Sequence, residues 1–199
     1  AHRERDDKMY TRQDFWVIER STALTADDAK AFLDNMVNIS ADLDRDIMKV
    51  SWVKAGIFGL YPDGAVMRLV RLSEDGQITT LDMGDVFPEF SFHVNEQGQI
   101  TFVGYNATTA FELFATSVEQ DGRSIPTQLT DFGSELEDWN LGTVETIRWT
   151  SFDGTEIEGV LRKPANFDPG RRYPLVFVVH GGPTWRSPAY LLYGDDIDY

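Results

Sequence analysis

Before about residue 140 the chain is rich in short runs that alternate between apolar and polar positions, the period expected of strands with one face buried. Ala65 to Leu72 and Gln77 to Leu81 are two such runs, and Gln99 to Gly104 and Ala110 to Ala115 are two more. Turn residues separate them. Asp63-Gly64, Asp75-Gly76 and Asp121-Gly122 each stand between strand-like stretches, where a tight hairpin turn needs a residue that tolerates positive φ. Tyr105 to Thr109 is the polar link between the last two runs.

The pattern repeats. GLYPDGAVMRLVRLSEDGQITTLD, from Gly59, parallels GYNATTAFELFATSVEQDGRSIPTQLTD, from Gly104. Each reads glycine, polar turn, strand, Asp-Gly turn, strand, Leu, Asp. The two starting glycines are 45 residues apart. A period of roughly 40 to 50 residues with four strands per unit is that of a β-propeller blade.

Two segments depart from this rhythm. Over 25–38, Thr25 and Asp28 form a candidate capping box, and Ala29, Phe32, Leu33, Met36 and Val37 fall on one helical face. The spacing predicts a helix inserted near 25–38 and packed on a sheet edge. Beyond residue 140, Val144 to Thr150, a Phe152 to Thr155 turn and Ile157 to Arg162 predict a hairpin. A proline-bearing loop, Lys163 to Gly170, then leads to Pro174 to Val179. That continuous apolar run is expected to be a strand covered on both faces, as in an α/β sheet. The chain therefore divides at about residue 140 into 1–140 and 141–199.

Composition narrows the partners. The net charge of -15 over 199 residues, with 42% hydrophobic and 26% charged residues, suits a globular domain and disfavours nucleic acid. No apolar run approaches the roughly 18 residues of a membrane helix. There is no cysteine, hence no thiolate nucleophile, no cysteine metal site and no disulfide to mark the compartment. Asp42, Asp44 and Asp46 alternate as in a calcium loop, but Ile47 and Val53 occupy the positions where an EF-hand needs glycine and glutamate. No metal or organic cofactor is expected.

The candidate chemistry lies at VFVVHGGPTW, Val176 to Trp185, where the apolar run ends in His180, Gly181 and Gly182. Ligands of α/β sheets bind outside the carboxyl ends of the strands. A double glycine there lets backbone N–H groups approach a negatively charged oxygen, the arrangement of an oxyanion hole. The same residues also fit a tight strand-to-loop turn with an incidental histidine.

The run from Phe152 to Pro183, FDGTEIEGVLRKPANFDPGRRYPLVFVVHGGP, resembles the start of the catalytic domain in the prolyl oligopeptidase family of serine peptidases. It is most similar to the acylaminoacyl-peptidase and dipeptidyl-peptidase-like branches. The resemblance implies a mostly β fold: partial propeller blades over 1–140, then the first strands of an α/β-hydrolase domain over 141–199. It implies a fragment of a serine peptidase that hydrolyses short peptides by acyl transfer, with the Gly182 N–H as one oxyanion donor and Gly181 letting the loop turn. His180 precedes the place of the nucleophile. Because the triad of such hydrolases runs Ser, Asp, His, His180 is read as a loop-shaping residue bonded to nearby backbone. Trp185 and Tyr190 are read as packing residues, with a pocket mouth as the alternative.

None of the ten serines lies in Gly-x-Ser-x-Gly. The nucleophile, acid and base are therefore expected on a further segment or a second chain, and this chain alone is expected to be inactive. Its implied partners are a peptide substrate and the remaining part of the peptidase domain. Homo-oligomerisation is left open, as is a cytoplasmic or periplasmic location. The alternatives are a non-catalytic propeller module with a vestigial hydrolase strand, and an α/β-hydrolase esterase.

Overall fold

The structure, a computed structural model, describes residues 13–119, 122–136, 138–182 and 185–191. It is mostly β. Strand β1 (Trp16–Val17) is followed by two short helices, α1 (Arg20–Thr25) and α2 (Ala29–Asp34), and by β2 (Val37–Asn38), which pairs antiparallel with β1. Two four-stranded sheets come next. The first runs in chain order through β3 (Lys49–Val53), β4 (Gly56–Asp63), β5 (Val66–Leu72) and β6 (Ile78–Thr80). The second runs through β7 (Phe87–Val94), β8 (Gln99–Tyr105), β9 (Glu112–Ser117) and β10 (Thr127–Gln128). A separate hairpin pairs β11 (Thr143–Thr150) with β12 (Glu156–Lys163).

The two halves of the repeat fall on equivalent strands. Gly59 lies in β4 and Gly104 in β8, the second strand of each sheet. The Asp-Gly turns behave as their chemistry requires: Gly64 has φ +61° between β4 and β5, and Gly76 has φ +88° between β5 and β6. Gly122 has φ +84°, while Asp121 lies outside the described residues.

Period-two alternation gives the first sheet two buried faces. Phe58, Leu60, Met67 and Leu69 point toward the second sheet and pack with Phe92, Val94, Ile100, Phe102 and Phe114. Ile57, Tyr61, Val70 and Leu72 point the other way and are covered by Ile39 and Ile47. Each such large apolar side chain contributes about 1.5–3 kcal/mol when fully buried. Asp82 stitches the sheets together: its N–H donates to the Gly122 carbonyl at 3.1 Å, and its own carbonyl accepts from the Ser124 N–H at 2.9 Å.

The helical expectation over 25–38 is corrected. Thr25 does not cap a helix. It is the last residue of α1, and its hydroxyl donates back to the Ser21 carbonyl at 3.0 Å. Asp28 is the N-cap, its carboxylate accepting the Ala31 N–H at 2.7 Å. The helix stops at Asp34, because Val37 is drawn into pairing with Val17 in β2. Neither helix buries a residue, and Leu33 is half exposed.

The expectation of a buried strand over Pro174 to Val179 is also corrected. None of those residues belongs to a strand, and Leu175, Val176, Phe177 and Val179 are 70–80% exposed. An apolar run becomes a covered strand only when neighbouring strands satisfy its backbone, and among the described residues none lies beside it.

Candidate functional site

The loop after β12 folds on itself before the apolar run begins. The Gly170 N–H donates to the Asp168 carboxylate at 2.8 Å, and the Asp168 N–H donates to the Tyr173 hydroxyl at 3.0 Å. The Phe167 and Tyr173 rings stack at 5.1 Å, and the Lys163 ammonium lies 5.2 Å from the Phe167 ring centre. This knot fixes where the segment 174–182 departs.

At its end, His180 Nδ1 lies 3.0 Å from the Gly181 carbonyl oxygen. A carbonyl only accepts, so this bond places a proton on Nδ1. The two glycines differ. Gly182 has φ +120°, a conformation that side-chain-bearing residues rarely adopt, whereas Gly181 has no positive φ. A Cβ added at Gly181 would meet nothing within 4 Å. The backbone requirement for glycine thus falls on position 182. Both residues are exposed, and among the described residues the Gly182 N–H enters no ladder and donates no hydrogen bond. Pro183 and Thr184 lie outside the described residues.

Beyond them the chain is anchored. The Arg186 guanidinium forms an ion pair with both carboxylate oxygens of Glu89 and donates to the Ala65 carbonyl at 2.8 Å. The Ala189 N–H donates to that same carbonyl at 3.1 Å. From β12, Arg162 donates to the carbonyls of Tyr190, at 2.5 Å, and Pro188, at 3.1 Å. The Tyr190 ring packs edge-on against Phe111 at 4.7 Å and Tyr105 at 4.9 Å. Trp185, by contrast, is 60% exposed, so the packing expected of it is not found.

Electrostatics follow from this enclosure. Burial, and then the Glu89 carboxylate, push the Tyr105 and Tyr190 hydroxyls well above the ordinary phenol range, so both stay neutral. The Arg186 charge acts in the opposite sense on both. The Tyr105 hydroxyl lies near enough to feel Arg186, but it makes no hydrogen bond of ordinary geometry among the described residues.

Glu89 and Arg186 were not singled out from sequence. Arg186 did carry a signal, as a cation four residues beyond Gly182 in a segment otherwise poor in charge. Glu89 carried a weaker one, a carboxylate between Pro88 and Phe90 on an apolar strand. Its aim depends on a bulge: pairing passes from Glu89–Val103 directly to Phe92–Phe102, and Phe90 takes φ +59°. Bulges re-aim side chains in this way.

Among the described residues no serine hydrogen-bonds a histidine, and no group of three or more acidic or histidine side chains is arranged to hold a metal ion. A shallow hollow lined by Trp52, Lys54, Arg71, Ser73 and Glu74 lies on the edge of the first sheet, and residues 180–182 take no part in it.

No family model matches the chain, and no curated protein matches it. Among solved structures, one of 18 matching chains is the AtxE2 isopeptidase in its apo form. The TM-score is 0.50 at 15% sequence identity, and the match covers 70% of this chain and 21% of that one. About seven tenths of this chain thus shares its fold with about a fifth of the isopeptidase.

Proposed function

We propose that this chain is part of a serine peptidase of the prolyl oligopeptidase type, acting on short peptides. In this reading the two four-stranded sheets are propeller blades that restrict access, and 141–199 begins an α/β-hydrolase domain. The Ser, Asp and His come from a segment outside this sequence. The serine oxygen attacks the peptide carbonyl carbon, and the oxygen of that carbonyl takes up negative charge. The Gly182 N–H donates to it, a contribution of about 2.7–4 kcal/mol for one such donor.

The observation that carries this reading is the Gly182 amide: φ +120°, exposed, and outside any ladder. The shared fold with part of an isopeptidase supports it, since that protein's name places it among enzymes that cleave amide bonds. A non-catalytic binding module with a vestigial hydrolase strand is the second reading, favoured by Pro174 to Val179 lying exposed and outside any described strand. Labelling with a fluorophosphonate separates the two. The product of the full gene is expected to be labelled at a serine beyond Tyr199 and to cleave peptidyl p-nitroanilides. Absence of both label and cleavage would favour the binding module, and labelling of this 199-residue chain by itself would place the nucleophile where the reading has none.

A further inference from the structure

Arg186 is the nearest fixed point beyond Gly182. Its side chain is 15% exposed and that of Glu89 is 7% exposed, so the pair is largely removed from solvent. Breaking a buried pair leaves the other charge uncompensated, so each member holds the other in place. The guanidinium reaches three acceptors at once: both Glu89 oxygens and the Ala65 carbonyl. Arg186 is four Cα steps along the chain from Gly182, so the two Cα atoms are at most about 14 Å apart. Wherever Arg186 is held, Gly182 is confined to that radius.

The hold is reinforced around Ala65. That residue is 5% exposed; its N–H donates to Glu158 of β12 at 2.7 Å, and its carbonyl accepts from Arg186 and Ala189. The turn between β4 and β5, strand β12 and the segment 186–190 therefore meet at one residue. Glu89 enters from β7 over the bulge at Phe90. The loop bearing Gly182 is tied on one side to the hairpin and on the other to the two sheets.

The geometry points to Glu89 and Arg186 as a positioning pair for the loop at His180 to Gly182. Glu89 fixes Arg186, and Arg186 limits where the Gly182 amide can be presented. The role of the loop rests on the function proposed above; the positioning itself does not.

Hydrogen exchange on the 199-residue chain tests the positioning without any activity. Glu89→Gln keeps the shape of the side chain and removes its charge. Exchange over 185–191 should rise by about tenfold or more, led by the Ala189 amide, while β4, β5 and β8 keep their protection. Arg186→Lys should raise it less than Arg186→Met, because a lysine retains the ion pair. Unchanged exchange over 185–191 would overturn the proposal, and so would loss of protection throughout both sheets, which would make Glu89 a residue of the general fold.

The product of the full gene, assayed with a peptidyl p-nitroanilide, then reads the consequence for the loop. Glu89→Gln should lower kcat by about tenfold to a hundredfold, the cost of a displacement near 1 Å, with KM within about twofold. A change confined to KM, or equal losses for Arg186→Lys and Arg186→Met, would contradict the role assigned to the pair. Should the unmodified full-length protein cleave no peptide, the proposed function fails while the exchange result still decides the positioning.

Discussion

The Glu158 carboxylate accepts the Ala65 backbone N–H at 2.7 Å, joining β12 to the turn between β4 and β5 across 93 residues of chain. Gly64 makes room for it: a Cβ there would stand 2.0 Å from Glu158 Oε1, and φ is +61°. Arg148 holds the same carboxylate from the neighbouring strand, with Nη2 at 2.7 Å. Glu158→Ala leaves a partly buried N–H without its acceptor and should cost about 1–3 kcal/mol; Glu158→Gln, which keeps an acceptor, should cost less. Gly64→Ala should cost about 1–2 kcal/mol from backbone conformation, with the clash added to it. In a Glu158→Ala background the clash is gone. A double-mutant cycle in urea should therefore return a coupling of at least about 0.5 kcal/mol, and additive effects would contradict the contact.

Phe90 inverts the usual order of strand substitutions. Alanine normally exceeds glycine in a strand by about 0.5–1 kcal/mol. At φ +59° the preference reverses, since only glycine relaxes there without strain. Both substitutions lose the ring contacts with Phe111 at 5.3 Å and Tyr190 at 6.2 Å. Phe90→Gly should thus be about 1 kcal/mol more stable than Phe90→Ala by chemical denaturation. The ordinary ranking would mean that the bulge does not hold Phe90 in the left-handed region.

Glu112 makes stability depend on pH. Burial pushes its carboxyl up, but hydrogen bonds from the Thr130 hydroxyl and from the Gly133 and Phe132 backbone outweigh this and hold it below its usual 4.5. The folded protein therefore takes up this proton less readily than the unfolded chain. The stabilisation is fully present above pH 4.5 and is lost as the pH falls toward the depressed folded value. Urea midpoints of the unmodified chain should fall more steeply below about pH 4.5 than those of Glu112→Gln, which titrates no proton there. Parallel curves would remove Glu112 from the acid transition.

The sheets were legible in the sequence because their determinants are local. Asp-Gly turns set the hairpins, alternation set the faces, and the repeat between Gly59 and Gly104 placed the same strand in each sheet. The helix over 25–38 was misread because an apolar stripe at helical spacing does not say which polar residue will cap it. Asp28 won over Thr25, and pairing with Val17 claimed Val37. Strand burial over 174–179 was illegible for a different reason: it depends on neighbours, which a local pattern does not contain. The Glu89–Arg186 pair spans 97 residues and hinges on a bulge that no turn motif announces.

The exposed run itself has a measurable consequence. Leu175, Val176, Phe177, Val178 and Val179 are five adjacent exposed apolar residues that join no strand among the described residues, the kind of segment that adds to another strand edge. Val176→Lys together with Val178→Lys should reduce concentration-dependent association of the 199-residue chain in light scattering, with the urea midpoint of the sheets unchanged. Equal association before and after substitution would assign it to another surface.

The presentation of one backbone amide is best judged by exchanging the two neighbouring glycines separately in the full-length protein. Gly182→Ala forces a side chain onto φ +120°, while Gly181→Ala adds a methyl group to open space. Gly182→Ala should lower kcat toward peptidyl p-nitroanilides by about a hundredfold or more, the loss expected of one oxyanion donor, and Gly181→Ala should change it by less than about threefold. Full activity in Gly182→Ala, or equal losses at both positions, would contradict the role given to residue 182.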